Sequence, residues 1–159
     1  MRVDAPLQDN LDARGLRIAV ITSTFNESIT GGLQDGAVTW LETANAEEIL
    51  VAAAPGAFEL PLFAQHCVSL GYDAVVCLGA VIEGETDHYT HVATQASEGL
   101  MRVQLDTGVP VAFGVLTVTE VAHAIARSRP DEHNKGREAA IAAVAAVRAL
   151  ASLSAASGE

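Results

Sequence analysis

Residues 74–82 read Ala-Val-Val-Cys-Leu-Gly-Ala-Val-Ile, nine positions with no charge and no alternation of polar and apolar side chains. A strand with one wet face alternates, whereas an unbroken apolar run suits a strand covered on both faces, as in a parallel sheet between helices. Three further runs of this kind stand at 17–23 (RIAVITS), 48–53 (EILVAA) and 109–117 (VPVAFGVLT). Helical spacing fills the gaps: Ile29, Leu33, Ala37 and Trp40-Leu41 mark one face, Leu62, His66 and Leu70 a second, and Val92, Ala96, Leu100 and Val103 a third. Val121 and Ile125 fit a short helix, and residues 136–153, rich in Ala, Val and Leu, a long terminal one. Strand and helix therefore alternate along the chain. That order predicts a single three-layer α/β domain, a parallel four-stranded sheet flanked by helices with right-handed crossovers. Residues 1–15 are expected to form an N-terminal arm, and the Ala/Ser-rich residues 154–159 a frayed tail.

The 159 residues suit one such domain. Half of them are hydrophobic and 18% charged, which excludes a disordered chain. Nine Lys and Arg face 20 Asp and Glu, a net charge of -11, and Lys135 is the only lysine. Nucleic acid and anionic membranes are thereby excluded as partners, since both need clustered cations. No apolar run approaches the roughly 18 residues of a membrane span, and the polar, acidic start is no secretory signal. Cys67 and Cys77 lie in apolar stretches and are expected as buried free thiols of a cytoplasmic protein.

In an open α/β sheet the ligand lies beyond the carboxyl ends of the strands, so the loops there are decisive. Residues 22–28 (TSTFNES) form a hydroxyl-rich turn into a helix, a possible phosphate cradle lacking the usual glycine. Phe25 within it either folds back over the core or offers a stacking surface to a planar ring. In 54–61 (APGAFELP), Pro and Gly break the strand and a helix starts near Pro61. Glu59 there is either a favourable charge at a helix start or a ligand group, with Phe58 as core or as a wall. In 79–91 (GAVIEGETDHYTH), Thr86 or Asp87 caps a helix and places His88 in its first turn, as a candidate acid or base. The amides of Gly84, Glu85 and Thr86 could hold a phosphate, and a metal at His88 and His91 lacks a completed ligand set. Residues 127–137 (RSRPDEHNKGR) hold four of the nine basic side chains. They form either an ordinary connection with Asn134 capping the last helix, or an anion site.

Together, Thr24-Phe25-Asn26, residues 55–61, Gly79, Val81-Ile82, Gly84, Thr86, His88-Tyr89, residues 111–117, Arg127 and Asn134-Lys135-Gly136 resemble the lumazine synthase family over about residues 17–150. The resemblance implies a flavodoxin-like domain and a cytoplasmic transferase of the penultimate step of riboflavin biosynthesis. It would condense 5-amino-6-(D-ribitylamino)uracil with 3,4-dihydroxy-2-butanone 4-phosphate to 6,7-dimethyl-8-ribityllumazine, phosphate and water, without metal or organic cofactor. It further implies that Phe25 stacks on the pyrimidine and that Asn26 and Glu59 hold the ribityl chain. The backbone around Ala57, Phe58, Val81 and Ile82 would read the uracil edge. Gly84, Glu85, Thr86 and Arg127 would hold the phosphate, and His88 would move protons. Phe113 and Lys135 would come from the neighbouring subunit of a homopentamer, which in some members builds an icosahedral shell, and riboflavin synthase is an implied partner. The family commonly has arginine in place of Glu83, an acidic residue in place of Thr90, and a different sequence in place of residues 129–133. Two other readings use the same residues: a flavin- or lumazine-binding module without turnover, and a shell protein descended from the enzyme. Retention of His88, Arg127 and Lys135 favours the enzyme.

Overall fold

The computed structural model describes residues 11–158. Four strands, β1 (Arg17–Ser23), β2 (Glu48–Ala54), β3 (Ala74–Ile82) and β4 (Val111–Val118), form one parallel sheet in the order β2-β1-β3-β4. Helices α1 (Glu27–Thr43), α2 (Leu60–Ser69), α3 (His88–Thr107), α4 (Val121–Arg127) and α5 (Lys135–Ala156) connect and cover it, and a 3-10 turn (Ala57–Glu59) precedes α2.

The central strands β1 and β3 are sealed on both faces, as their apolar runs require, whereas the edge strands are not: β2 is buried only at Ala54, and Val51 and Phe113 are exposed. Ile18, Val20, Val76 and Leu78 point to one side, into a core with Leu33, Leu41, Ile141 and Val144 of α1 and α5. Ala19, Ile21, Val75 and Cys77 point to the other, against Leu60, Ala96 and Leu100 of α2 and α3. Each fully buried Ile or Leu contributes about 1.5–3 kcal/mol of burial free energy, so this double core is the main source of stability. Cys67 and Cys77 are free and buried within the second layer, and burial pushes both thiols up in pKa.

The strand runs match the expected ones at β1 and β3. β2 extends one residue further, to Ala54. β4 begins at Val111 rather than 109, because Pro110 has no amide to give the ladder. The faces of α1 and α3 are those expected, with Trp40 only 6% exposed in the first core. The face of α2 is not: Leu60, Ala64 and Cys67 are buried, whereas Leu62, His66 and Leu70 are exposed. In α4, Ala124 is buried while Val121 and Ile125 stay half exposed.

The 22-residue α5 starts at Lys135 and runs to Ala156, so residues 154–156 continue the helix where the sequence suggests a frayed tail. With a hydropathy of 1.8, α5 is also long and apolar enough to cross a membrane, contrary to the estimate from apolar runs. Its Ala139, Ala140, Ile141, Ala143 and Val144 are nonetheless buried in the domain core. Residues 1–10 of the expected arm lie outside the described residues, but 11–15 are tied to the domain. Ala13 is buried and donates its amide to the Ala44 carbonyl, and Arg148 of α5 donates to the carbonyls of Asp12 and Arg14.

At the amino end of the sheet, Arg17 and Glu48 are register partners on β1 and β2. The Arg17 guanidinium donates to Glu48 at 2.8 Å and lies 4.4 Å from the centre of the Tyr72 ring, whose hydroxyl donates to Glu48 at 2.6 Å. These donors hold the Glu48 carboxyl below the usual carboxylate value, the Arg17 bond first and the Tyr72 bond second. Accepting that bond leaves Glu48 raising the Tyr72 phenol above its ordinary value.

Candidate active site at the carboxyl ends of the strands

The order β2-β1-β3-β4 reverses direction between β1 and β3, and such a switch point opens a crevice where their following loops part. Asn26, just after β1, crosses it. Its backbone is left-handed (φ 60°, ψ 50°), a conformation asparagine tolerates, and its side-chain amide donates to the Ala80 carbonyl of β3 at 3.0 Å. Beside it, Thr24 donates its amide to the Ala54 carbonyl and its hydroxyl to the Pro55 carbonyl, at 3.1 and 2.8 Å. The loop after β1 is thus pinned to the end of β2, to the loop that follows it, and to strand β3.

Gly56 shows how closely two of these loops meet. A Cβ built there would lie 3.2 Å from two carbons of the Phe25 ring and 3.1 Å from a Glu59 carboxylate oxygen. The aromatic ring, the bare backbone and the carboxylate therefore share one spot. Phe25 is 69% exposed, which overturns the core reading of this side chain and leaves its face available for stacking. Phe58 is 58% exposed and is likewise not core, while Ala57 below it is buried. Glu59 is partly buried at the start of α2 and makes no side-chain cap bond, so its carboxylate remains an acceptor.

The turn at 22–24 is not a hydroxyl cradle for phosphate. Thr22 and Ser23 are buried, their hydroxyls without a partner among the described residues, and the Thr24 hydroxyl is spent on Pro55. The loop after β3 is better suited. Val81 is buried and Ile82 partly so; the Glu83 amide donates to the Val118 carbonyl, and residues 83–88 are then exposed. The amides of Gly84, Glu85 and Thr86 have no partner among the described residues, and α3 begins directly afterwards at His88. Asp87 occupies the cap position without a side-chain cap bond, and the His88 amide reaches the Thr86 hydroxyl at 3.4 Å. The exposed His88 side chain stands in the first turn, as the sequence suggests. Among the described residues no three His, Cys, Asp or Glu side chains gather into a metal-binding set.

Arg127 ends α4 and donates to the His123 carbonyl one turn back, at 3.0 Å. Two of the expected residues are not brought to this cluster within one chain. Phe113 pairs with Cys77 on edge strand β4, whereas Val81 pairs with Thr117, four residues or about 13 Å further up the sheet. Lys135 opens α5 and its ammonium is paired with Glu138 at 2.7 Å. Asn134 caps α5 as expected, accepting the Arg137 amide. Thr24 as the tie between two loops went unread in the sequence, since nothing there says which hydroxyl of a Thr-Ser-Thr turn faces a neighbouring carbonyl.

The family model for 6,7-dimethyl-8-ribityllumazine synthase matches residues 15–151. The chain belongs to the lumazine synthase family. A 6,7-dimethyl-8-ribityllumazine synthase of Salinibacter ruber is 46% identical to it over 139 residues, covering 86% of this chain and 89% of the relative. The match takes in all four loops, so the crevice between β1 and β3, with Phe25, Gly56 and Glu59 on one side and His88 on the other, lies within a lumazine synthase domain.

Proposed function

We propose that this lumazine synthase family member condenses 5-amino-6-(D-ribitylamino)uracil with 3,4-dihydroxy-2-butanone 4-phosphate, forming 6,7-dimethyl-8-ribityllumazine and releasing phosphate and water. The observation that carries the assignment of roles is the convergence of Phe25 and Glu59 on Gly56 at the switch point. A planar pyrimidine stacks on the exposed Phe25 ring, its edge reads the backbone around Ala57, Phe58, Val81 and Ile82, and the ribityl hydroxyls reach Glu59 and Asn26. The phosphate sits on the unbonded amides of Gly84, Glu85 and Thr86 at the start of α3, with the Arg127 guanidinium supplying the counter-charge. These two sites are a loop apart, which sets the substrate amine against the ketone.

The substrate amine is the nucleophile. It adds to the ketone carbon, water leaves to give the imine, a proton is removed from the adjacent carbon, phosphate departs, and the ribityl-bearing nitrogen adds to the carbonyl formed by tautomerisation, closing the ring with loss of a second water. His88 carries these protons in this reading, supported by its exposed position in the first turn of α3. No protein side chain forms a covalent intermediate, so positioning supplies much of the acceleration.

The cluster is completed by Phe113 and Lys135 of a neighbouring copy. Exposed apolar side chains at Phe58, Leu62, Met101, Leu105 and Phe113 support a homo-oligomer, proposed as a pentamer or an assembly of pentamers that acts with riboflavin synthase in the cytoplasm. The test is a two-substrate assay without added metal, following lumazine fluorescence and phosphate release. Wild type is expected to form both products together. Arg127→Ala is expected to raise KM for the phosphorylated ketone by about tenfold or more, as loss of a charge-assisted contact does. His88→Ala is expected to lower kcat by about 10–100-fold, the low end for general acid–base catalysis because positioning survives. No lumazine at saturating substrates would refute the proposal.

A further inference from the structure

The connection between α4 and α5 is locked onto α1 by contacts that only glycine permits. A Cβ at Gly32 would collide with the Ser128 carbonyl oxygen, one at Gly36 with the Asn134 side chain, and one at Gly136 with the Leu33 carbonyl oxygen. Asn134 is the centre of this lock. It is 1% exposed and uses its whole side chain: the amide donates to the Gly32 carbonyl of α1 at 3.0 Å and to the Arg129 carbonyl at 2.9 Å, and the oxygen accepts the Arg137 amide at 3.0 Å. Its backbone amide donates to the Asp131 carbonyl and its own carbonyl accepts the Glu138 amide. A helix cap needs only one of these five bonds.

The residues beside the lock are the two cations of the proposed site. Arg127 directly precedes Ser128, whose carbonyl rests on Gly32. Lys135 stands between Asn134 and Gly136, which rests on Leu33. Each cation thus stands on a backbone held against α1, while its side chain bonds locally, Arg127 to the His123 carbonyl and Lys135 to Glu138, in contacts a phosphate would compete for. The other end of α1 begins at Asn26, bonded to β3 across the crevice, so the same helix that positions Phe25 also positions the cations.

We propose that Asn134 is a positioning residue for recognition of the phosphorylated substrate, fixing Arg127 and Lys135 through α1. The proposal rests on the reading that Arg127 faces the phosphate and that Lys135 of a neighbour closes the same cluster. Because Arg127 serves its own chain's site and Lys135 a neighbour's, one side chain steadies a cation in each of two adjacent sites. A displacement of about 1 Å at such a contact is enough for a large loss, of up to about 10²-fold.

Asn134→Ser tests this, because serine still caps α5 at the Arg137 amide but is too short to reach Gly32 and Arg129. Gly36→Ala tests it from the other side, by driving a methyl group into the Asn134 amide. Both variants are expected to raise KM for the phosphorylated ketone about tenfold and to leave KM for the pyrimidine within about twofold. The dissociation constant of inorganic phosphate, measured by calorimetry on the assembled protein, should rise by a similar factor. Asn134→Asp, which keeps the cap oxygen and loses both donors, should match the serine variant. A lower melting temperature or lower Vmax with both KM values and phosphate affinity unchanged would overturn the proposal and leave Asn134 merely structural. If wild type binds phosphate but makes no lumazine, the proposed reaction fails while weakened phosphate binding in Asn134→Ser still upholds the positioning role. If wild type turns over and Asn134→Ser binds phosphate normally, the positioning role alone fails.

Discussion

Glu83 places a carboxylate beside the exposed amides on which the phosphate is proposed to sit, at the mouth of a site whose chain already carries a net charge of -11. Like-charge repulsion there is partly screened by salt. Glu83→Arg is expected to lower KM for the phosphorylated ketone a few-fold, with the gain shrinking as ionic strength rises, and steady-state assays at two salt concentrations would show it. At the far end of the sheet, Glu48 contributes to the response to pH. Its carboxyl is held below the ordinary 4.5 by the Arg17 and Tyr72 donors, so its stabilising effect is complete above that value and is lost as pH falls through the lower folded value. The Tyr72 phenol runs the other way: raised above 10.0, it favours the fold below that pH and loses this effect as pH rises through the higher folded value. Glu48→Gln should flatten both the acid and alkaline limbs of a melting-temperature profile, and unchanged limbs would show that the cluster is thermodynamically idle. Of the residues at this scale, Phe25, Glu59 and His88 stood out in the sequence by being out of character with their loops. The Arg17–Glu48–Tyr72 cluster did not, because a strand register joins residues 31 and 24 positions apart.

Elements were legible wherever burial on two faces left one solution. β1 and β3, the central strands, read correctly to the residue because burial on both faces left little room for alternation, with only Arg17, Thr22 and Ser23 polar at the ends of β1. The misjudged face of α2 has a physical origin. The helix carries two apolar stripes, and the one with the smaller residues, Ala64 and Cys67, faces inward because α2 approaches α3 closely, at Pro61 against Gly99. The larger Leu62 and Leu70 are left outside, where a sequence argument based on size would not put them. The contact between α1 and α5 is closer still, and makes a direct prediction. Gly136→Ala forces a methyl group against the Leu33 carbonyl in a rigid helix pair, so it should cost about 1–3 kcal/mol as overpacking does, or more if the helices cannot part. Urea unfolding of the two proteins would measure it. A helix interior alanine normally stabilises relative to glycine, so the sign of the change is diagnostic.

At the scale of the molecule, the proposed site draws Phe113 and Lys135 from a neighbouring copy, and the chain exposes large apolar side chains through which copies could meet. Met101 and Leu105, 51% and 74% exposed, lie one turn apart on α3. Leu105→Glu is expected to break the assembly and to lower activity with it, because Phe113 and Lys135 of a neighbour would no longer close the crevice. Light scattering reads the outcome: wild type at several times the 16.5 kDa of one chain, the variant near that mass. A variant of unchanged mass would show that this stripe is not where copies meet. The sequence could announce the crevice, since its loops follow strands, and Asn134 as a cap, but not its bond to Gly32 of α1, 102 residues away. That same neighbourhood holds the chain's one tryptophan. Trp40 borders a cavity of about 470 Å³ whose wall also includes Gly36, Ser128, Asn134 and Arg137. The protein therefore carries a spectrally isolated indole beside its helix lock, and the wavelength of its emission is a label-free optical gauge of whether that lock is shut.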